Sequence, residues 1–217
     1  MIQAPPQAPA EPGTRQRVLM VAARLFRTQG YAATPLRDIA SAAGMKAGSL
    51  YNHFSSKEEI VVEILNLGVQ TAFDKVRASV ERLDAAPCRT VLRAAIFAHL
   101  TCLLGEDNFT SANIRIFAHV PPHVRDATMT LRHGYERYWV EILKRCAAEG
   151  ALKPDIDPRM LSMFLFGAMN WALEWYRPGR HSIAQLADEL AALYVPADVA
   201  EAVRRPKRRA LRVAEVS

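Results

Sequence analysis

Apolar residues recur every three to four positions along nearly the whole chain, and that period constrains its fold more than any other feature. Val18, Leu19, Ala22, Leu25 and Phe26 form one stripe after Thr14, which can cap the helix; Arg15, Arg17, Arg24 and Arg27 lie opposite, and Gly30 offers a left-handed stop. Thr34 as cap and Pro35 at the first helical position open a short second helix that turns Leu36, Ile39, Ala40 and Ala43 inward and ends at Gly44. A third runs from about Lys46 to Phe54. Ser55 with Glu58 makes a capping box for a long fourth, whose Ile60, Val61, Ile64, Leu65, Ala72, Phe73, Val76 and Val80 keep the period until Pro87. Further helices are expected at about Cys88 to Leu104, Thr110 to His119, Pro122 to Glu149, Pro158 to Tyr176 and Ser182 to Tyr194, with Pro121, Gly150, Pro154, Pro178 and Pro196 as punctuation. There is no alternating strand pattern, internal repeat, GxGxxG or Walker-type loop. The chain is therefore expected to be all-α, with roughly nine helices.

Its 217 residues suffice for one or two domains with a real core. No stretch approaches the roughly 20 apolar residues of a membrane span, and the start, Met1 to Pro6, lacks the basic and apolar regions of a secretory signal. A cytoplasmic protein with no membrane partner is expected. Residues 1–13, with Pro5, Pro6, Pro9 and Pro12, read as a flexible leader. Cys88, Cys102 and Cys146 are odd in number and scattered, which fits reduced thiols packed in helices better than a disulfide framework or zinc cluster. His119 and His123 flank a double proline that breaks the helix needed to place them on one face, so no metal is expected, and no cofactor either.

Charge is segregated. Residues 14–57 hold seven Lys or Arg and one Asp, while Arg204, Arg205, Lys207, Arg208, Arg209 and Arg212 make the 197–217 segment a basic tail, leaving the rest acidic. A basic block on an acidic body is the mark of a nucleic-acid-binding module joined to a different domain. The tail fits an extra DNA arm or a solvated, partly disordered end equally well.

Residues 34–54, TPLRDIASAAGMKAGSLYNHF, read as a helix-turn-helix: Ile39 and Ala43 face inward, Gly44 permits the turn, Met45 plugs the corner, and Leu50 with Phe54 buries the second helix. Lys46, Ala47, Ser49, Tyr51, Asn52 and His53 remain on the outer face, where small and polar side chains suit a helix entering a major groove. The run Ala22-Ala23-Arg24-Leu25-Phe26, Gly30-Tyr31, Thr34, Arg37-Asp38-Ile39-Ala40, Ala43-Gly44, Gly48-Ser49-Leu50-Tyr51-Asn52-His53-Phe54 and Ser56-Lys57-Glu58 closely resembles the N-terminal domain of TetR-like (tetracycline-repressor-like) transcriptional regulators. The resemblance covers about residues 14 to 62. It implies that Lys46 to His53 is the recognition helix, that Tyr51 and Lys57 touch phosphates, and that Thr34 holds the DNA backbone from the start of its helix. Lys46 departs from the small hydroxyl residue usual there.

The organisation expected is a helix-turn-helix DNA-binding domain of three helices at 14–56 and a helical effector-binding and dimerisation domain at 57–196. Residues 158–176 are apolar around most of the helix circumference, so that helix must be covered on several sides. Phe166, Met169, Leu173 and Tyr176, with Leu186 and Leu190 of the last helix, are candidates for a homodimer contact. Phe97, Phe117, Met129, Tyr135, Tyr138, Trp139, Met163 and Trp171 would line a small-molecule effector pocket or simply fill a core. The segment Trp175-Tyr176-Arg177-Pro178-Gly179 is similar to one in TetR-like regulators of lipid and acyl-thioester catabolism, which implies an acyl-CoA or other apolar effector. The expected function is thus a ligand-released repressor on a palindromic double-stranded DNA operator. The alternatives are an architectural DNA-binding protein without an effector and a helical enzyme; no Ser/His/Asp, Cys/His or carboxylate pair supports the latter.

Overall fold

The computed structural model describes residues 13–83, 85–105, 108–153 and 155–195. The leader up to residue 12, the basic tail, Pro154 and Pro196 lie outside them. Among the described residues the regular elements are helices: α1 (Thr14–Gln29), α2 (Leu36–Ala42), α3 (Ala47–Leu50), α4 (Lys57–Glu81), α5 (Cys88–Leu104), α6 (Asn108–Ile116), α7 (Pro122–Asp126), α8 (Met129–Ala148), α9 (Pro158–Trp175) and α10 (Ile183–Tyr194), with a 3-10 turn at Phe117–His119. The all-α expectation holds. The helix expected over 122–149 is instead two, α7 and α8. At the break the Thr128 hydroxyl donates to the Arg125 carbonyl at 2.8 Å, a local bond that competes with helix continuation. None of these helices alone is long and apolar enough to cross a membrane.

Several ends differ from expectation because the capping side chains choose other partners. Thr14 is helical, and Gly13 caps α1 with backbone only. α2 starts at Leu36 after Pro35, and the Thr34 hydroxyl turns back to the Gly30 carbonyl at 2.8 Å. α3 closes at Leu50, continuing to Phe54 as turns, with Phe54 N donating to Leu50 O at 3.0 Å. Ahead of α4 it is Ser56 Oγ that accepts from Glu59 N at 3.2 Å, while the Glu59 carboxylate accepts from Ser55 N and Oγ at 2.7 and 2.8 Å. In place of the expected Ser55–Glu58 box, Glu59 divides its bonds between Ser56 and Ser55.

The chain folds into two compact units: residues up to Val69 with Asn108–Met129, and Gln70–Asp107 with the residues from Thr130 on. In the first, α1 packs on α2 and α6, and Val18, Phe26, Ile39, Leu50, Phe54, Ile60 and Ile64 share a core with Ala112, Ile116, Val120 and Val124. Gly68 of α4 makes the close approach of α6 possible, since a Cβ there would stand 2.5 Å from the Phe109 carbonyl oxygen. Thr110 Oγ1 and Asn113 Nδ2 of α6 donate to the Gly68 and Leu65 carbonyls at 3.1 and 2.6 Å, so α6 is bonded to the α4 backbone itself. In the second unit α5 packs on α9 and α10, and Leu92, Ile96, Leu100, Leu103, Trp139, Leu143, Leu165 and Met169 are fully buried.

Candidate functional site

The turn between α2 and α3 closes with Gly44 at φ 70°, while Gly44 N and Met45 N donate back to Ser41 O and Ala40 O, both at 3.0 Å. This paired C-cap fixes the exit direction of the chain. Leu50 and Phe54 are spent on the core, which leaves Lys46, Ala47, Ser49, Tyr51 and Asn52 exposed and His53 half-buried. Tyr51 is 58% exposed, an unusual position for an aromatic ring with no burial to gain. Arg15 of α1 clamps the segment: its guanidinium lies 4.1 Å from the Phe54 ring centroid and donates to the His53 carbonyl, to Glu63 and, at 3.0 Å, to Glu59. The Glu59 carboxyl is held down at about 2 by its bonds from Ser55 and by Arg15.

Two expected phosphate-binding residues are committed to the fold. Thr34 is fully buried with its hydroxyl on Gly30. The Lys57 ammonium donates to the Tyr31 carbonyl and sits 4.0 Å from the Tyr31 ring centroid, and burial lowers its pKa. A buried hydroxyl does not reach a phosphate, and an ammonium held by a carbonyl and a ring must give both up to do so.

In the second unit, His99 of α5 sits at the centre of an aromatic cluster. Its Nδ1 is 2.8 Å from the Tyr135 hydroxyl and its Nε2 is 3.4 Å from Asn170 Oδ1; the rings of Tyr135, Trp139 and Phe166 stand 6.0, 6.0 and 5.8 Å away. Burial pushes the imidazole down to about 4, so it is neutral at pH 7, and the partners favour Nδ1 accepting while Nε2–H donates. Phe73 extends the cluster, 5.4 Å from both Tyr135 and Tyr138. The buried Trp139 indole N–H faces the same polar group without a hydrogen bond of normal geometry. Among the described residues no group of three or more His, Cys, Asp or Glu is placed to hold a metal ion.

The model of bacterial regulatory proteins of the tetR family matches residues 18–64, and that of the tetracyclin repressor-like C-terminal domain matches residues 85–196. The chain belongs to the TetR family. It is therefore a DNA-binding transcription regulator of helix-turn-helix type, and the family is one of regulators rather than enzymes. Among its relatives is the HTH-type transcriptional repressor KstR2 of Rhodococcus jostii strain RHA1, 33% identical over 77% of this chain and 81% of that protein. Its fold is similar to that of AibR solved with isovaleryl coenzyme A and operator DNA, with a TM-score of 0.77 at 25% identity over 85% of this chain and 99% of that one. It is also similar to the ketosteroid transcriptional regulator KstR2 of Mycobacterium tuberculosis, with a TM-score of 0.70 at 26% identity over 84% of this chain and 95% of that one.

Within the TetR-family C-terminal domain, α9 exposes two residues expected in a pocket and buries one expected at a dimer contact. Met160, Met163, Phe164, Gly167, Ala168, Trp171 and Trp175 share its exposed face, whereas Ser162, Leu165, Met169 and Ala172 are buried and Phe166 points into the aromatic cluster. Met163 and Trp171, expected in a pocket, are each 66% exposed; of the residues expected at a dimer contact, Met169 is buried and Phe166 half-buried. Of the other pocket candidates, Tyr135, Tyr138 and Trp139 do come together; Phe97 is exposed, Phe117 packs against the first unit's core, and Met129 is half-buried in that unit. Leu173, Tyr176, Leu186 and Leu190 are half-buried. Sequence reasoning missed Phe73, His99 and Asn170 as parts of one cluster. The signal for His99 was present: a lone polar residue in register with Leu92, Ala95, Ile96 and Leu103 on the apolar face of α5.

Proposed function

We propose that this protein is a cytoplasmic, ligand-responsive repressor that binds a palindromic operator as a homodimer and leaves it when a small apolar effector occupies the aromatic cluster of the second unit. The observation that carries the reading is the outward face of α3 and its following turn: Lys46, Ala47, Ser49, Tyr51 and Asn52 are exposed on a segment held by Arg15, Leu50 and Phe54. A rigid base with a free polar face is what base-edge readout requires. In this reading residues 14–56 are the reader, and the remainder to 196 carries the effector and dimer functions.

The outward face of α9, joined by Leu193 of α10 at 75% exposure, meets a second copy. An apolar stripe of this length on a monomer is uncommon, and one reader per chain needs a twin to contact two half-sites about 34–36 Å apart. Phe166 and Met169 are no longer part of that contact. The effector is an acyl thioester or a related lipid metabolite, because its apolar body suits the Phe73, Tyr135, Trp139 and Phe166 rings and its carbonyl oxygen meets the Trp139 N–H. The AibR structure, with both isovaleryl coenzyme A and operator DNA, supports this pairing of ligands.

The test begins by selecting bound duplexes from a random pool, which should enrich an inverted repeat. Acyl-CoA esters are then titrated against the operator complex. Release by 100-fold corresponds to about 2.7 kcal/mol of coupling, and linkage demands that operator weaken ligand binding by the same factor. Enrichment of no symmetric site sinks the operator reading. Symmetric binding with no releasing ligand leaves an architectural protein.

A further inference from the structure

Cys88 and Cys146 are far apart in sequence yet come together where the start of α5 meets the end of α8, and both are reduced and buried. Cys88 is the first residue of α5 and Cys146 lies in the last turn of α8. The two ends are braced against each other: Cys88 N donates to Glu149 Oε2 at 2.8 Å, Arg145 Nε to Glu149 Oε1 at 3.1 Å, and Arg145 Nη2 to the Ala86 carbonyl at 2.6 Å. The Glu149 carboxylate also stands beside the Cys88 thiol and disfavours its ionisation.

We propose that Cys88 and Cys146 form a peroxide-reactive dithiol that closes to an intramolecular disulfide joining the start of α5 to the end of α8. The inference is independent of the operator and effector reading. The neighbouring Cys146 thiol lowers the Cys88 pKa against burial and the Glu149 carboxylate, which raise it, while the same sharing together with burial raises that of Cys146. Cys88 is therefore the attacking sulfur. It displaces hydroxide from hydrogen peroxide to give a sulfenic acid, and the released proton and hydroxide leave as water. The Cys146 sulfur then attacks the sulfenic sulfur, losing its proton as the second water departs. Overall two thiols and one peroxide give one disulfide and two waters. Peroxide gains entry through the first turn of α5, because helix ends open at low cost. The disulfide would staple the helix that supplies His99 to the helix that supplies Tyr135 and Trp139. Cys102 lies on α5 itself, about 21 Å along the axis from Cys88 at 1.5 Å per residue, and serves as an internal control.

The experiment treats the reduced full-length chain with hydrogen peroxide, alkylates it in denaturant and maps its peptides by mass. The expected product is a Cys88–Cys146 cross-linked pair lighter by two hydrogens, with Cys102 alkylated, reverting on addition of dithiothreitol. The oxidised chain should melt about 5–10 °C higher than the reduced one, and Cys146→Ser should show neither the cross-link nor the rise. Recovery of Cys88 and Cys146 as free thiols, as separate sulfinic acids or as links between chains would overturn the proposal. So would an equal thermal shift in Cys146→Ser.

Discussion

Tyr51 and Asn52 are neighbours on the exposed face, yet they carry different expectations. A phenol contacting a phosphate positions the protein without reading sequence, so Tyr51→Phe should weaken binding to every operator variant alike; an amide at a base edge discriminates, so Asn52→Ala should flatten preference at one position by about 1–3 kcal/mol. Binding each protein to a panel of single-base operator variants separates the two, and wild-type affinity in Tyr51→Phe removes the phosphate role. His99 offers a test of stability. Its folded pKa of about 4 lies below the ordinary 6.5, so between these values only the unfolded chain takes up the proton. Stability should therefore fall as pH drops from 6.5 toward 4, by about 3 kcal/mol at the lower limit. Urea midpoints of the wild type and His99→Gln across this window should converge as the pH falls, and a constant gap would show that the imidazole titrates normally. The exposed face of α3 and its following turn was legible in sequence because Ile39, Ala43, Leu50 and Phe54 identified the core by period. Thr34 and Lys57 were not, because what holds them is a carbonyl, at Gly30 and Tyr31, and a carbonyl belongs to no residue type.

Helices with one apolar stripe announced themselves, and α5 matches its expected span. α9 did not reveal its orientation, since Met163, Phe164, Phe166, Met169 and Trp171 are apolar on every side and period alone cannot choose a phase. The α7–α8 break was equally hidden, as no Gly or Pro marks residues 127–128. Gly68 shows a further limit: in sequence it is a tolerated helix glycine, whereas in the fold it is where α6 approaches α4. Gly68→Ala gains helix propensity of about 1 kcal/mol but pushes a methyl into the Phe109 carbonyl, at a cost of about 1–3 kcal/mol or more. The variant should be less stable in urea; a gain would mean that α6 can recede from α4 without loss.

At the scale of the whole molecule the expected regulator depends on pairing. Phe164 is 63% exposed and makes no contribution to the core, so Phe164→Asp should leave helix content intact while shifting sedimentation from dimer to monomer and weakening operator binding. A dimer that survives the change places the contact elsewhere. The legible part of this scale was the joining of a basic helix-turn-helix to a helical body. The compact grouping of Asn108–Met129 with the N-terminal elements was not legible, because that packing rests on side chains of α6 reaching backbone atoms of α4.

The chain's three tryptophans differ in exposure, with Trp139 fully buried while Trp171 and Trp175 are 66% and 47% exposed. Their intrinsic emission is therefore a pair of built-in gauges. Water-relaxed, red-edge light from Trp171 and Trp175 should shift to the blue when α9 faces meet, and dilution should reverse it. Light from Trp139, already blue, should change in intensity only when something enters the ring cluster around His99. One unlabelled sample can thus report assembly and occupancy separately, by colour and by brightness.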